Sequence, residues 1–314
     1  MPTSPVIEVR DLVKRYKKAE INAVDGVSFD VQPGEFFALL GPNGAGKTTT
    51  ISILTTTLRP TSGSVRIAGH DAIAEASAVR RQVGIIFQKP SLDLNLSGEE
   101  NVRFHAFMYN LFPYRPTYSL MAAEYKKQVG QLAEVLGLGK EIFQPVKKLS
   151  GGMMRKLEII RGLMHRPHVL FLDEPTAGLD AASRRSLWDY LREVRERYET
   201  TVFLTTHYLD EAEEAGRICI LDKGRVVSNG TPAEIKADLL QERLVLDADD
   251  RDALRAELVA QGVGFEEGTH FRVDINGHSA QAIIKRIATP LTVLRTDSPS
   301  LEDAYLKIVG TSVE

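Results

Sequence analysis

The stretch "FFALLGPNGAGKTTTISIL", residues 36–54, decides the fold. It begins as a short apolar run bounded by a glycine, the pattern of a buried strand. A glycine-rich loop and a helix-length run follow. Gly41-x-x-x-x-Gly46-Lys47-Thr48 has the P-loop spacing, in the strand–loop–helix setting that the spacing requires. The glycines let backbone N–H groups close around phosphate oxygens, and the helix turns the positive end of its dipole toward them. Lys47 is then placed to reach the β- and γ-phosphates, and Thr48 to offer its hydroxyl to Mg²⁺. The plain alternative is a glycine-rich βα turn. The flanking strand and helix argue against it.

Two other segments complete such a site. "HVLFLDEPTAGLD" (168–180) contains an apolar strand over 169–172 that ends in Asp173 and Glu174. A buried strand that delivers one carboxylate to a phosphate-bound metal is the second half of a P-loop site, which makes Asp173 the metal partner. Glu174 points the other way in an extended chain and suits a different task, accepting a proton from the attacking water. Two solvated acids at a strand end are the alternative. A third strand, "TVFLTTH" (201–207), ends in His207. A lone histidine there is usually structural or exposed. A parallel sheet, however, gathers strand C-termini at one crevice, where His207 could touch the γ-phosphate.

"KKLSGGMMRKLEIIRG" (147–162) poses a different question. One capping serine starts a helix, yet Ser150 is followed by Gly151 and Gly152. Apolar positions 153, 157, 160 and 164 have helical spacing, and Pro167 marks the end. A hydroxyl and bare N–H groups at a helix N-terminus make a second phosphate reader. The chain already has one P-loop, so the second grip makes sense if it reads ATP held by another subunit.

Together these motifs resemble the nucleotide-binding subunits of ABC transporters. "GPNGAGKT" resembles the Walker A loop, "VLFLDEP" the Walker B strand, "LSGGM" the signature and "AGLD" the D-loop, with Asp180. Gln88 matches the Q-loop glutamine and His207 the switch histidine. Tyr16 is similar in position to the aromatic that stacks on adenine. The resemblance covers about residues 5–235. It implies ATP and Mg²⁺ as cofactors. ATP would be held by Tyr16, by Gly41, Pro42, Asn43, Gly44, Ala45, Gly46, Lys47, Thr48 and Thr49, and by Gln88. The metal would be held by Thr48, Gln88 and Asp173, with catalysis by Glu174, His207 and Lys47. It further implies a head-to-tail homodimer in which Ser150, Gly151 and Gly152 contact the partner's γ-phosphate. Met153 departs from the pattern. It stands where glutamine is usual and cannot add polar contacts near the ribose.

The expected fold is therefore α/β: a P-loop NTPase with an ABC-type antiparallel β subdomain and a helical signature subdomain at about 89–165. The ATP-binding domain should span 5–235. Beyond "TPAEIKADLLQER" (231–243), read as a connecting helix, the pattern changes to strand 243–247, helix 250–261, strands near 264–267 and 270–275, helix 279–288, strand 291–295 and helix 300–309. This predicts a small ferredoxin-like α+β domain over 243–314. His270 and His278 are too isolated for a metal site, and His165 and His168 lack partners in ligand spacing. "SPSLEDAYLKIVG" (298–310) resembles the tail of daunorubicin-resistance type ATPases, a type 2 exporter subgroup. That favours export of a drug, lipid or polysaccharide over import.

Composition sets the outer bounds. The chain has 314 residues, 43% of them hydrophobic, with a net charge of −3, which suggests about two domains and no strongly basic surface for nucleic acid. Cys219, the single cysteine, lies in the apolar "RICILD" and reads as core. The N-terminus has no apolar signal region, and no run approaches the ~18 apolar residues of a membrane span. The expectation is a cytoplasmic protein, peripheral on the inner face of the cell membrane through an integral membrane permease. Between Gln88 and the signature, six of the residues 104–118 are Phe or Tyr, either the core of a helical subdomain or a docking surface for a partner helix. The rival from another class is a soluble ABC ATPase acting on ribosomes or nucleic acid. Such relatives commonly carry two cassettes or a long coiled coil, and this sequence has neither. A P-loop kinase or GTPase would leave the signature unexplained.

Overall fold

In chain order the first part runs β1 (Ile7–Lys14), β2 (Val24–Val31), β3 (Phe36–Leu40), α1 (Lys47–Leu54), β4 (Ser62–Ile67), β5 (His70–Asp71), α2 (Ala76–Gln82) and β6 (Val83–Ile86). It continues through α3 (Gly98–Met108), α4 (Ala123–Val135), α5 (Gly151–Leu163), β7 (Val169–Asp173), α6 (Ala181–Tyr198), β8 (Thr201–Thr206), α7 (Leu209–Glu213), β9 (Arg217–Asp222) and β10 (Arg225–Gly230). The computed structural model describes residues 4–88, 91–239, 243–275, 280–297 and 300–310. The chain divides into two compact units, residues 1–231 and 232–314.

The fully apolar runs form the central layer of the first unit. A six-stranded sheet has the order β10-β9-β3-β8-β7-β6, parallel except for β10 at its edge. β3, β7 and β8 are buried along their whole length, as strands covered on both faces must be. A second, antiparallel sheet has the order β2-β1-β4-β5. Its alternating residues Ile7, Val9, Val27, Phe29 and Val65 share one core with Phe37, Phe171 and Phe203 of the parallel sheet. Cys219 lies fully buried in that core on β9, where burial pushes its thiol up to about 12.

Helices α3, α4 and α5 make the helical part. Ser97 and Glu100 form a reciprocal capping box that starts α3. The chain leaves that helix before Pro113 and Pro116 and resumes as α4 only at Ala123. Inside, Tyr125 donates to Glu99 at 2.9 Å, and Arg103 sits 3.3 Å from the same carboxylate. The backbone before the signature is tied to the start of α3 through Gly98 N–H to Gln144 and Val146 N–H to Leu96.

The second unit opens with α8 (Pro232–Leu239), which packs against α11 (Leu301–Gly310). Between them come β11 (Arg243–Ala248), α9 (Arg251–Ala260), β12 (Phe265–Glu267), β13 (Phe271–Asp274), α10 (Ala280–Ile284) and β14 (Leu291–Asp297). The strands pair antiparallel in the order β12-β13-β11-β14, a βαββαβ sandwich of ferredoxin-like type. Leu244, Leu246, Leu254, Leu258, Phe271 and Val273 fill it. The helix expected over 279–288 starts at a residue outside the described ones, and α10 stops at Ile284 with tighter turns through Ile287. Ser298 and Pro299, which open the expected tail motif, and His278 also lie outside the described residues. His270 pairs with Asp247 at 2.8 Å. Among the described residues, no helix is long and apolar enough to cross a membrane.

Candidate active site

Strand register brings the pieces together. Leu40 pairs with Thr206, Asp173 with Thr205, and Ile86 with Leu172, so β3, β8, β7 and β6 end nearly level. Gly41 to Lys47, His207, Glu174 and Gln88 leave those strand ends into one crevice, the place where open α/β sheets bind ligands.

The loop after β3 is a cradle for lack of space as much as for flexibility. A Cβ on Gly41 would meet the Leu221 carbonyl at 2.3 Å. One on Gly46, whose φ is +102°, would meet the Ala23 carbonyl at 2.5 Å. Gly46 is the N-cap of α1, and no side chain caps that helix. The N–H groups of its first turn therefore lack helical partners and suit phosphate oxygens. Lys47 is only 4% exposed, and its Nζ donates to the carbonyls of Gly41 (2.7 Å) and Pro42 (3.1 Å). Burial holds its pKa below the usual lysine range, against the opposite pull of Glu174 and Asp173. A triphosphate fits this arrangement, since it would supply the anionic partner that a buried ammonium on two carbonyls lacks. The Tyr16 hydroxyl lies 3.3 Å from the Thr49 hydroxyl, with its ring exposed beside the cradle.

The acidic side is equally built. Asp173 is buried and accepts from the Thr205 hydroxyl at 2.5 Å. Burial raises its carboxyl above the ordinary range, opposed by that hydrogen bond and by Lys47. Thr48 is exposed at the start of α1. Hydroxyl, amide and carboxylate oxygens are the donors that a hard cation such as Mg²⁺ takes, so Thr48, Gln88 and Asp173 suit one by chemistry.

Glu174 corrects the sequence reading in one respect. An extended chain would turn it away from Asp173. Instead it has φ +44°, a left-handed conformation, so the strand ends at Asp173. Its N–H is tied to the Thr205 carbonyl and hydroxyl, each at 3.1 Å. The turn aims its carboxylate across the crevice. Oε2 accepts from Gln88 Nε2 at 2.9 Å, and Oε1 lies 3.2 Å from His207 Nδ1. The three side chains form one chain of contacts, with the Nδ1 proton of His207 directed at the carboxylate.

Ser150, Gly152 and Asp180 have their contacts elsewhere, at two helix starts. Ser150 caps α5, accepting from the Met153 N–H at 3.2 Å. Asp180 caps α6, accepting from the Ser183 N–H (2.9 Å) and hydroxyl (2.7 Å), bonds that hold its carboxyl below the usual range. A Cβ on Gly152 would meet that same Ser183 hydroxyl at 2.9 Å, so the two helix starts fit closely. Gly151 faces open space.

Sequence reasoning missed Thr205, Arg155 and Glu158. Thr205 holds both Asp173 and the Glu174 backbone, and the polar pair in "FLTTH" was its only sequence signal. Arg155 and Glu158 are buried on α5 and bonded to the strand and loop that carry Glu174 and Gln88. Their signal was the Arg–Glu–Arg spacing at 155, 158 and 161.

Comparison with known proteins agrees with this geometry. The profile of the ABC transporter family matches residues 24–177, which contain the cradle, Gln88, the signature and both acids. The daunorubicin/doxorubicin resistance ATP-binding protein of Streptomyces peucetius is 37% identical over 99% of this chain and 94% of its own. The chain belongs to the ABC transporter ATP-binding family. The Nod factor export ATP-binding protein I of Paraburkholderia xenovorans is 35% identical to this ABC ATPase, covering 98% of each chain. Among solved structures, a dimeric ATP-binding cassette in a post-hydrolysis state, bound to ADP and phosphate, is 28% identical. It matches with a TM-score of 0.62 over 72% of this chain and 98% of its own. The ABC ATPase thus binds and hydrolyses ATP for a transporter.

Proposed function

We propose that this ABC ATPase powers an exporter: two copies close head to tail on ATP and drive a separate membrane permease, which places them at the inner face of the membrane. The single observation that carries the reading is the split of the phosphate-binding features. The cradle, Gln88, Glu174 and His207 share one crevice, while Ser150 and Gly151 lie exposed at another helix start with no bond to it. A second copy would bring its signature to that crevice. Export rather than import is supported by the relatives, which are named for drug resistance and Nod factor export and are matched over nearly their full length.

Within the closed site, the N–H groups of the Gly41–Thr49 loop hold the phosphates and Lys47 exchanges its two carbonyl partners for phosphate oxygens. Tyr16 stacks on the adenine. Thr48, Gln88 and Asp173 would hold Mg²⁺, which when bound neutralises charge on the β- and γ-phosphates. Glu174 orients the attacking water and accepts its proton. His207, held by Glu174, and Lys47 face the charge that spreads over the γ-phosphoryl, joined by the partner's signature. Asp180 and Ser183 fix the start of α6 beside Gly152.

The test is co-purification of the tagged protein from native membranes in mild detergent. A multi-span permease in a stoichiometric complex is the expected result. Ribosomal or nucleic-acid components with no membrane chain would overturn the exporter reading and leave the ATPase chemistry standing.

A further inference from the structure

Arg155 is 5% exposed and Glu158 fully buried, both on the helix that Ser150 caps. The guanidinium of Arg155 is used on every side. Nε donates to the Pro175 carbonyl at 3.0 Å and Nη2 to the Asp173 carbonyl at 3.3 Å, the residues on either side of Glu174. Nη1 donates to the Phe87 carbonyl at 2.5 Å, the residue before Gln88, and to Glu158 at 3.1 Å. The second oxygen of Glu158 accepts the N–H of Ser91, three residues after Gln88, at 2.9 Å. One buried ion pair thus grips both backbones whose side chains make the 2.9 Å contact between Gln88 and Glu174.

We propose that Arg155 and Glu158 are positioning residues for the hydrolysis reaction, fixing Gln88 and Glu174 to the signature helix so that the orientation of α5 sets the aim of the catalytic carboxylate. The proposal rests on the reading of Glu174 as the proton acceptor. A pair that served only folding would not need four backbone partners flanking two active-site residues. A buried pair is often replaceable by apolar side chains without loss of stability, whereas removing one partner strands a charge. Lysine cannot reproduce the planar fork of arginine, so it keeps the charge opposite Glu158 and loses the simultaneous grip on three carbonyls.

The experiment compares full-length wild type, Arg155→Lys, the neutral double variant Arg155→Met/Glu158→Met, Glu174→Gln and Arg155→Lys/Glu174→Gln. Steady-state and single-turnover hydrolysis of MgATP are measured beside nucleotide affinity and Tm. The expected result for Arg155→Lys is a kcat at least tenfold lower, with ATP affinity within twofold of wild type and little change in Tm. In the Glu174→Gln background the lysine change should cost nothing more, because it acts through the lost carboxylate. If Arg155→Lys does not fold, the neutral double variant replaces it in the comparison, with the same expectation. Wild-type kcat in the variant, with Glu174→Gln inactive, overturns the brace alone. An equal loss with and without Glu174 also overturns it. Wild-type hydrolysis by Glu174→Gln overturns both the brace and the catalytic reading beneath it.

Discussion

At Glu174 the backbone itself is part of the site. A non-glycine residue at φ +44° carries strain of order 1 kcal/mol, which the two bonds to Thr205 hold in place. Its neighbour Asp173 carries a cost of another kind. Burial raises its carboxyl, so over the interval between its unfolded and folded pKa the folded state binds more protons than the unfolded one. Its contribution to stability therefore falls as pH rises through that interval. Asn at 173 keeps an oxygen for the Thr205 hydroxyl and cannot ionise. Nucleotide-free Tm measured across pH should show Asp173→Asn gaining on wild type as pH rises from the carboxylate range toward neutrality. A constant or shrinking difference would contradict burial as the main cause. The same variant should lose MgATP hydrolysis.

At the scale of elements, the aromatic run 104–118 divides its labour. Phe104, Phe107 and Tyr114 are exposed, and both phenylalanine rings meet Tyr114, at centroid distances of 5.5 and 5.7 Å. Tyr118 instead packs on Tyr125 and Phe143, and Phe112 on Tyr125. Phe107→Ser/Tyr114→Ser should abolish co-purification with the permease while ATP binding and Tm stay near wild type. Tyr118→Ser should lower Tm by several degrees, as loss of a packed ring does. Equal Tm losses in both variants would contradict the division. The sequence could not separate these rings, because exposure depends on how α3, α4 and the turns between them fold together. The P-loop was legible because its spacing is local and its flanking strand and helix declare themselves. The Arg155 brace was not, because it joins residues 68 and 20 positions apart in the chain. Likewise, apolar runs announced the strands, whereas the left-handed turn at Glu174 has no glycine to announce it.

For the molecule as a whole, one chain holds a crevice with the glycine cradle and the Glu174 carboxylate and, capped by Ser150, a signature helix with an exposed N-terminus. The central claim is that these two features belong to the same site, joined across two copies. ATP can close such a dimer only by binding the closed form better than the open one, and blocked hydrolysis should let that form accumulate. The ferredoxin-like unit adds a second body to each copy. The most direct measurement is the mass in solution, by light scattering, of Glu174→Gln and of Glu174→Gln/Ser150→Arg with saturating MgATP, beside their nucleotide affinities. The account predicts a dimer for Glu174→Gln that forms only with ATP, and a monomer of unchanged ATP affinity once the signature is blocked. A Glu174→Gln protein that stays monomeric on ATP, or a blocked signature that dimerises equally well, would contradict it.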